Sequence, residues 1–313
     1  MNFAAMDTAA DSKKEDEKQT DHNGSHGSAY DMAALRLLKP CVRSLLPMLS
    51  HWTTDKHLEV EARLGQFRPL PSGGLAGSGG SQQPPPLLRE WESTVEDFDA
   101  MCSFLRDQAA AEPLLWQITE AATTIDGFLV DGTRCTFAMP PTSNNSGPVL
   151  LGAPLSAMRK QTKQQLTVWC PDHGRTGFRV SAKEEMPISL DALIKEGAQL
   201  AVTFVRLKTR TTFTFRSMWE YSFTQVWTGS SIEAARRQPC QYEVEIELLR
   251  SPSATAAQAA SAPPSGGDPA YLACSLVLRA LQLLDVWAEK RQVVVPPPAA
   301  QTALRVIVDR RLN

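Results

Sequence analysis

Tyr242-Glu243-Val244-Glu245-Ile246-Glu247-Leu248 places an acid at every second position. In an extended strand, side chains at i, i+2 and i+4 share one face. Glu243, Glu245 and Glu247 therefore lie on one side of this stretch, and Val244, Ile246 and Leu248 on the other. Far earlier, Glu59-Val60-Glu61-Ala62-Arg63-Leu64-Gly65 repeats the pattern. Gathering the five carboxylates Glu59, Glu61, Glu243, Glu245 and Glu247 inside a fold is prohibitive unless their charge is neutralised. A divalent cation meets that need, because hard cations select carboxylate oxygens. Between the two acidic stretches, Arg206-Leu207-Lys208-Thr209-Arg210 puts three cations on one strand face.

Working outward, candidate strands fall at 57–67, 123–130, 132–138, 157–169, 177–185, 202–215, 218–228 and 241–249. The strand at 177–185 offers Arg179, Ser181, Lys183 and Glu185 on one face, with Phe178, Val180 and Ala182 opposite. Arg134 faces away from Cys135 and Phe137, and Lys160 begins another strand. Charges on one face of so many antiparallel strands predict a closed eight-stranded β-barrel with a polar interior, in a mainly β chain with flanking helices. A sandwich would need apolar inner faces.

The rest of the 313 residues frames this barrel. Residues 1–28 have few apolar anchors and read as a disordered tail. Tyr30 to His51 carries helical spacing, interrupted or kinked near Pro40. Residues 69–86 form a Pro/Gly/Ser insertion, and 88–110 again read as helix. Asp131-Gly132 is a hairpin signal, and Asn144-Asn145-Ser146-Gly147 reads as a turn. Residues 251–268 are a linker. A helix at 269–291 is expected to pack on the barrel or on a partner. Residues 303–308 form a further strand or a docking segment. The resulting division is a tail at 1–28, a barrel domain at 29–250, a linker, and a C-terminal helix and tail at 269–313.

A net charge of −2 argues against wholesale binding to nucleic-acid backbone, so any RNA affinity must come from a local patch. Cys41, Cys102, Cys135, Cys170, Cys240 and Cys274 show no C-x-x-C spacing and read as reduced, mostly buried thiols. Apolar runs fall short of the ~20 residues of a membrane span, and the N-terminus lacks a signal-peptide core. Cytosol or nucleus is the expected compartment.

The strand faces imply a chemistry. A triphosphate needs several cations, with Arg supplying bidentate contacts and Lys a point charge. A carboxylate-held Mg²⁺ or Mn²⁺ offsets phosphate charge, and a further carboxylate orients or deprotonates water. This inventory fits phosphoanhydride hydrolysis better than acyl or glycosyl transfer.

The ordered set Glu-x-Glu-x-Arg, Arg-x-Lys-x-Arg, Glu-x-Glu-x-Glu resembles the fungal and protozoal mRNA-capping RNA 5′-triphosphatases, which are triphosphate tunnel metalloenzymes. The style of the insertions is kinetoplastid-like. The resemblance spans about residues 57–249. It implies an eight-stranded antiparallel tunnel, removal of the RNA 5′-γ-phosphate as the first step of capping, dependence on Mg²⁺ or Mn²⁺, and a nuclear enzyme working beside a capping guanylyltransferase. Carried over, Glu59, Glu61 and Glu247 would hold the metal, with Glu243 and Glu245 shaping the same cluster. Glu185 would sit near the attacking water. Arg134, Lys160, Arg206, Lys208 and Arg210 would hold phosphates. On the strand before the last, the family carries Arg-x-Asp-x-Thr. Here Glu220 and Ser222 replace the Arg and Asp, and Thr224 is retained. Two other readings stay open: a tunnel phosphatase of nucleoside triphosphates or polyphosphate, and a barrel that binds RNA or triphosphate without catalysis.

Overall fold

The computed structural model describes residues 27–69, 87–139, 151–174, 176–195, 201–250, 267–296 and 304–308. The expected turn at 144–147 lies outside these residues. So do nearly all of the tail at 1–28, the insertion at 69–86 and the linker at 251–268.

Ten strands and five helices are described: α1 (Gly27–Thr54), β1 (Leu58–Pro69), β2 (Leu87–Glu90), α2 (Val95–Ala111), β3 (Trp116–Leu129), β4 (Arg134–Ala138), β5 (Ser156–Cys170), β6 (Thr176–Pro187), α3 (Leu190–Lys195), β7 (Val202–Phe215), β8 (Trp219–Gly229), α4 (Ile232–Arg236), β9 (Gln241–Leu248), α5 (Pro269–Lys290) and β10 (Arg305–Val308). Eight of the strands close a ring, in the order β1-β6-β5-β4-β3-β7-β8-β9 and back to β1. Every pairing is antiparallel. β2 pairs with β1 and β10 with β5, both outside the ring.

The apolar core lies outside the barrel wall. Val60, Ala62, Leu64, Phe178, Val180, Val244 and Ile246 point outward into one large cluster with Leu45, Met48 and Leu49 of α1, Met101 and Leu105 of α2, and Leu276, Leu283 and Trp287 of α5. A second cluster joins Ile125, Cys135, Phe137, Val205 and Leu207 to Ile232 and Ala235 of α4. Because the helices bury the outward faces, the alternating inward faces are left to line the tunnel with polar side chains.

Several elements differ from expectation. α1 runs without interruption through Pro40 and Pro47. Each proline removes one backbone donor, but the buried face Leu38, Cys41, Leu45, Met48, Leu49 and Trp52 holds the helix to the core. The helix read at 88–110 begins only at Val95. Thr94 caps it by accepting from Asp97 N at 3.3 Å, and the residues before it form β2. β3 starts seven residues before the expected 123, at Trp116. α3 and α4 are short helices that the periodicity did not reveal. α5 is long and apolar enough to cross a membrane by length and composition, contrary to the sequence expectation. Its apolarity serves the core: ten of its residues are buried, and it packs against α1 and the barrel.

Candidate active site inside the barrel

The tunnel lining follows from the register. Glu61 on β1 stands opposite Glu247 on β9, and Glu220 on β8 stands opposite Glu247 from the other side. Arg63 faces Glu245. On β6, Lys183 lies opposite Glu59 and Ser181 opposite Glu61. Lys160 on β5 lies opposite Glu185. The two acidic stretches, nearly two hundred residues apart, thus meet across a single strand pairing.

The charges interlock. Lys160 Nζ donates to Glu59 Oε2 at 2.7 Å and also contacts Glu185. Lys163, three residues further along β5, instead points outward to Glu184 at 2.6 Å and Gln161, because a bulge between Thr162 and Gln164 resets the strand. Lys183 contacts Glu61. Arg63 bridges Glu243 (3.2 Å) and Glu245. Arg206 donates to both oxygens of Glu243, at 2.9 and 2.8 Å. Arg210 Nε donates to Thr224 Oγ1 at 3.0 Å and Nη2 lies 3.5 Å from Glu245. Lys208 Nζ lies 2.6 Å from Asp126 Oδ2.

The five acids therefore fall into two sets. Glu243 and Glu245 are held by arginines. Burial alone would raise the Glu245 carboxyl, but Arg63 and Arg210 overcome it and hold the group well below the usual carboxylate range. Glu61 and Glu247 behave oppositely. Burial, then the charge of Glu245, pushes Glu61 up to about 7 despite Lys183. Burial, then Glu59 and Glu220, pushes Glu247 up to about 8. These two facing groups, with Glu59 beside Glu61 on β1, are the part of the tunnel with surplus negative charge. As a donor set they fit a hard divalent cation: all are carboxylates, they sit on paired strands, and the protein supplies too little positive charge for them. Among the described residues they do not yet converge on one point. Lys160 holds Glu59 and Lys183 holds Glu61.

Glu185 is also held below the ordinary range. Burial raises it, but a hydrogen bond shared with Glu59 and the contact with Lys160 outweigh that. It is ionised at neutral pH, as a base or a water-orienting group must be. Arg134 Nη2 donates to Met158 Sδ at 2.8 Å while its buried Nε has no hydrogen-bond partner. Arg179, stacked over Trp91 at 5.0 Å, likewise has a buried Nε without a hydrogen-bond partner. The two lie at different levels of the barrel, since Arg134 is in register with Met158 and Pro187, and Arg179 with Arg63.

By strand alternation the expected site residues share the face opposite the two apolar clusters. Sequence reading missed Asp126, which is fully buried and holds both Lys208 and Thr136 (3.1 Å). It also left Arg179 and Lys183 without roles. Asp126 is a lone acid in Thr124-Ile125-Asp126-Gly127. Only its pairing opposite Arg206, one step from Lys208, reveals it.

Residues 149–270 match the family profile described as mRNA capping enzyme, beta chain. The matched span runs from β5 through β9. The chain is similar in structure to the S. pombe RNA triphosphatase Pct1, with a TM-score of 0.54 at 17% identity, covering 78% of this chain and 91% of that one. The same S. pombe protein in complex with the Spt5 CTD aligns with a TM-score of 0.52 at 16% identity, covering 81% and 92%. A mimivirus capping enzyme triphosphatase aligns less well, with a TM-score of 0.45 at 14% identity, covering 78% and 96%. No curated protein matches the sequence.

Proposed function

We infer, from the match of residues 149–270 to the capping-enzyme family and from the eight-stranded tunnel, that this chain is an mRNA 5′-triphosphatase, a metal-dependent phosphoanhydride hydrolase that removes the γ-phosphate from 5′-triphosphate RNA. The observation that carries the reading is the pairing of Glu61 with Glu247 inside a closed barrel whose facing wall bears Arg206, Lys208 and Arg210.

Glu59, Glu61 and Glu247 would hold Mg²⁺ or Mn²⁺. The ion, when bound, offsets phosphate charge and polarises the phosphoryl group. The chain's own residues do the rest. Arg134, Lys160, Lys208 and Arg210 receive phosphate oxygens. Arg206 keeps Glu243 in place and presents its remaining N–H groups to the same tunnel. Glu185, ionised and next to Lys160, orients a water toward the terminal phosphorus and accepts its proton. Glu243 and Glu245 act through Arg63, Arg206 and Arg210, fixing those side chains so that substrate binding does not have to order them. The diphosphate end left behind is the acceptor that guanylyl transfer needs, so a capping guanylyltransferase acts next, and the work site is the nucleus.

Phosphate release from 5′-triphosphate RNA, with and without Mg²⁺ or Mn²⁺, tests the reading. Metal-dependent release is expected. Turnover of ATP or tripolyphosphate but not RNA would move the assignment to a general tunnel phosphatase. Absence of turnover on all three would leave a binding barrel.

A further inference from the structure

Two groups of aromatic rings lie along the tunnel-facing side of the strands, and they differ in one respect. Phe67, Trp169 and Trp91 pack on one another, with ring centroids 6.1 and 6.4 Å apart. Phe67 is only 2% exposed, and a Cβ at Gly177 would strike it at 2.6 Å. These rings are used up by packing.

Phe128 and Phe204 are not. They are register partners on β3 and β7, with centroids 5.8 Å apart and planes tilted by 54°. Neither belongs to the apolar clusters outside the barrel, and Phe204 is 40% exposed. By strand alternation Phe128 shares the face of Asp126, and Phe204 shares the face of Arg206 and Lys208. Phe128 also stands directly opposite Arg134 on β4. The pair therefore lies one tunnel-facing step, about 7 Å along each strand, from the cations assigned to phosphate. That offset is comparable to the separation of phosphate from base in a nucleotide. An apolar pair with one half-buried and one exposed ring next to a phosphate site has a natural occupant: a planar base covalently tied to the phosphates.

We propose that Phe128 and Phe204 form a stacking platform for the nucleobase of the 5′-terminal nucleoside, placing it at the tunnel mouth while the triphosphate reaches inward past Arg134 and Arg206. The proposal rests on the triphosphatase reading for the orientation of the substrate. It gives the tunnel a means to prefer nucleoside-bearing triphosphates over inorganic ones without reading sequence, because every base offers a π-face.

Titration calorimetry on the full chain tests it, with a 5′-triphosphate oligoribonucleotide, ATP and inorganic tripolyphosphate as probes. In Phe128→Ala/Phe204→Ala, the preference for RNA over tripolyphosphate, read as the ratio of Kd values, is expected to fall roughly tenfold. ATP should follow RNA. Phe128→Tyr/Phe204→Trp, which keeps the rings, should restore the ratio. Phe204→Leu, which keeps apolar volume at an exposed position, reads the same ratio should the double alanine variant not fold. Equal weakening of all three probes, or an unchanged ratio, overturns the platform. Binding is measured apart from turnover. A wild type that binds with this preference but hydrolyses nothing would overturn the triphosphatase reading and leave the platform standing.

Discussion

Glu247 is the residue on which the tunnel's electrostatics turn. It faces Glu61 on one side and Glu220 on the other. Where the capping triphosphatases that it resembles carry a cation, this chain adds a third carboxylate, Glu220, and Ser222 Oγ donates to it at 3.0 Å. Replacing Glu59, Glu61 or Glu247 singly by Ala should abolish metal-dependent phosphate release while leaving the circular dichroism unchanged. A metal bound only by the native state also raises Tm by mass action. Wild type should therefore gain several degrees in millimolar Mn²⁺, and Glu61→Ala should not; equal gains would move the ion elsewhere. Glu220→Arg with Ser222→Asp should raise turnover or leave it unchanged. The pair must be made together, since an added guanidinium without its carboxylate is a buried unpaired charge. A double variant that loses activity would make Glu220 part of this chain's own metal site. At this scale alternation made Glu59, Glu61, Arg206, Lys208 and Arg210 legible. Asp126 and Arg179 were not, because their partners lie on strands whose register no local pattern encodes.

Among the elements, α5 bears directly on the fold. Its Trp287 is fully buried, and Arg279 lies over Phe215 and Trp219 while donating to Tyr221 at 2.9 Å. Trp287→Ala is expected to cost about 3–5 kcal/mol, read as a lower denaturation midpoint. A variant of unchanged stability would show α5 to be a detachable surface helix. The thiols give a second measure. Burial pushes Cys41 on α1 up to about 12 and raises Cys170 on β5 well above its ordinary value. A raised thiol pKa depletes the thiolate, the reactive form. At pH 8 both should resist iodoacetamide in the native protein and react once it is denatured, as mass mapping would reveal. The helical stripe of α5 was plain in the sequence because its face is apolar at regular spacing. The start of α2 was not. Trp91 and Thr94 belong to the strand exit and the cap, and helical periodicity cannot distinguish a cap residue from a first turn.

For the whole molecule, the eight-stranded ring was deducible from the count of charged strand faces, but its order was not. Adjacency of β3 to β7, or of β1 to both β6 and β9, is set by long-range pairing. The helical layer that closes over the outside follows from the same faces seen from behind. A chain beginning near Gly27, at the start of α1, should keep metal-dependent hydrolysis, since the preceding residues have too little apolar content to join the core. Loss of soluble protein on that truncation would show that the tail packs.

The pairing of β1 with β9 also governs when the site can come into being. β1 is the first of the ring strands to be synthesised, yet its partner β9 is the last. Until then Glu61 has no Glu247, and the growing chain exposes an open sheet edge. Closures of such sequence separation are slow, since the loop entropy is lost before the contacts form. In refolding, tight Mn²⁺ uptake is expected only in the last and slowest phase, together with recovery of native tryptophan fluorescence. An earlier capture of metal would mean that the two strands find each other before the wall between them is built.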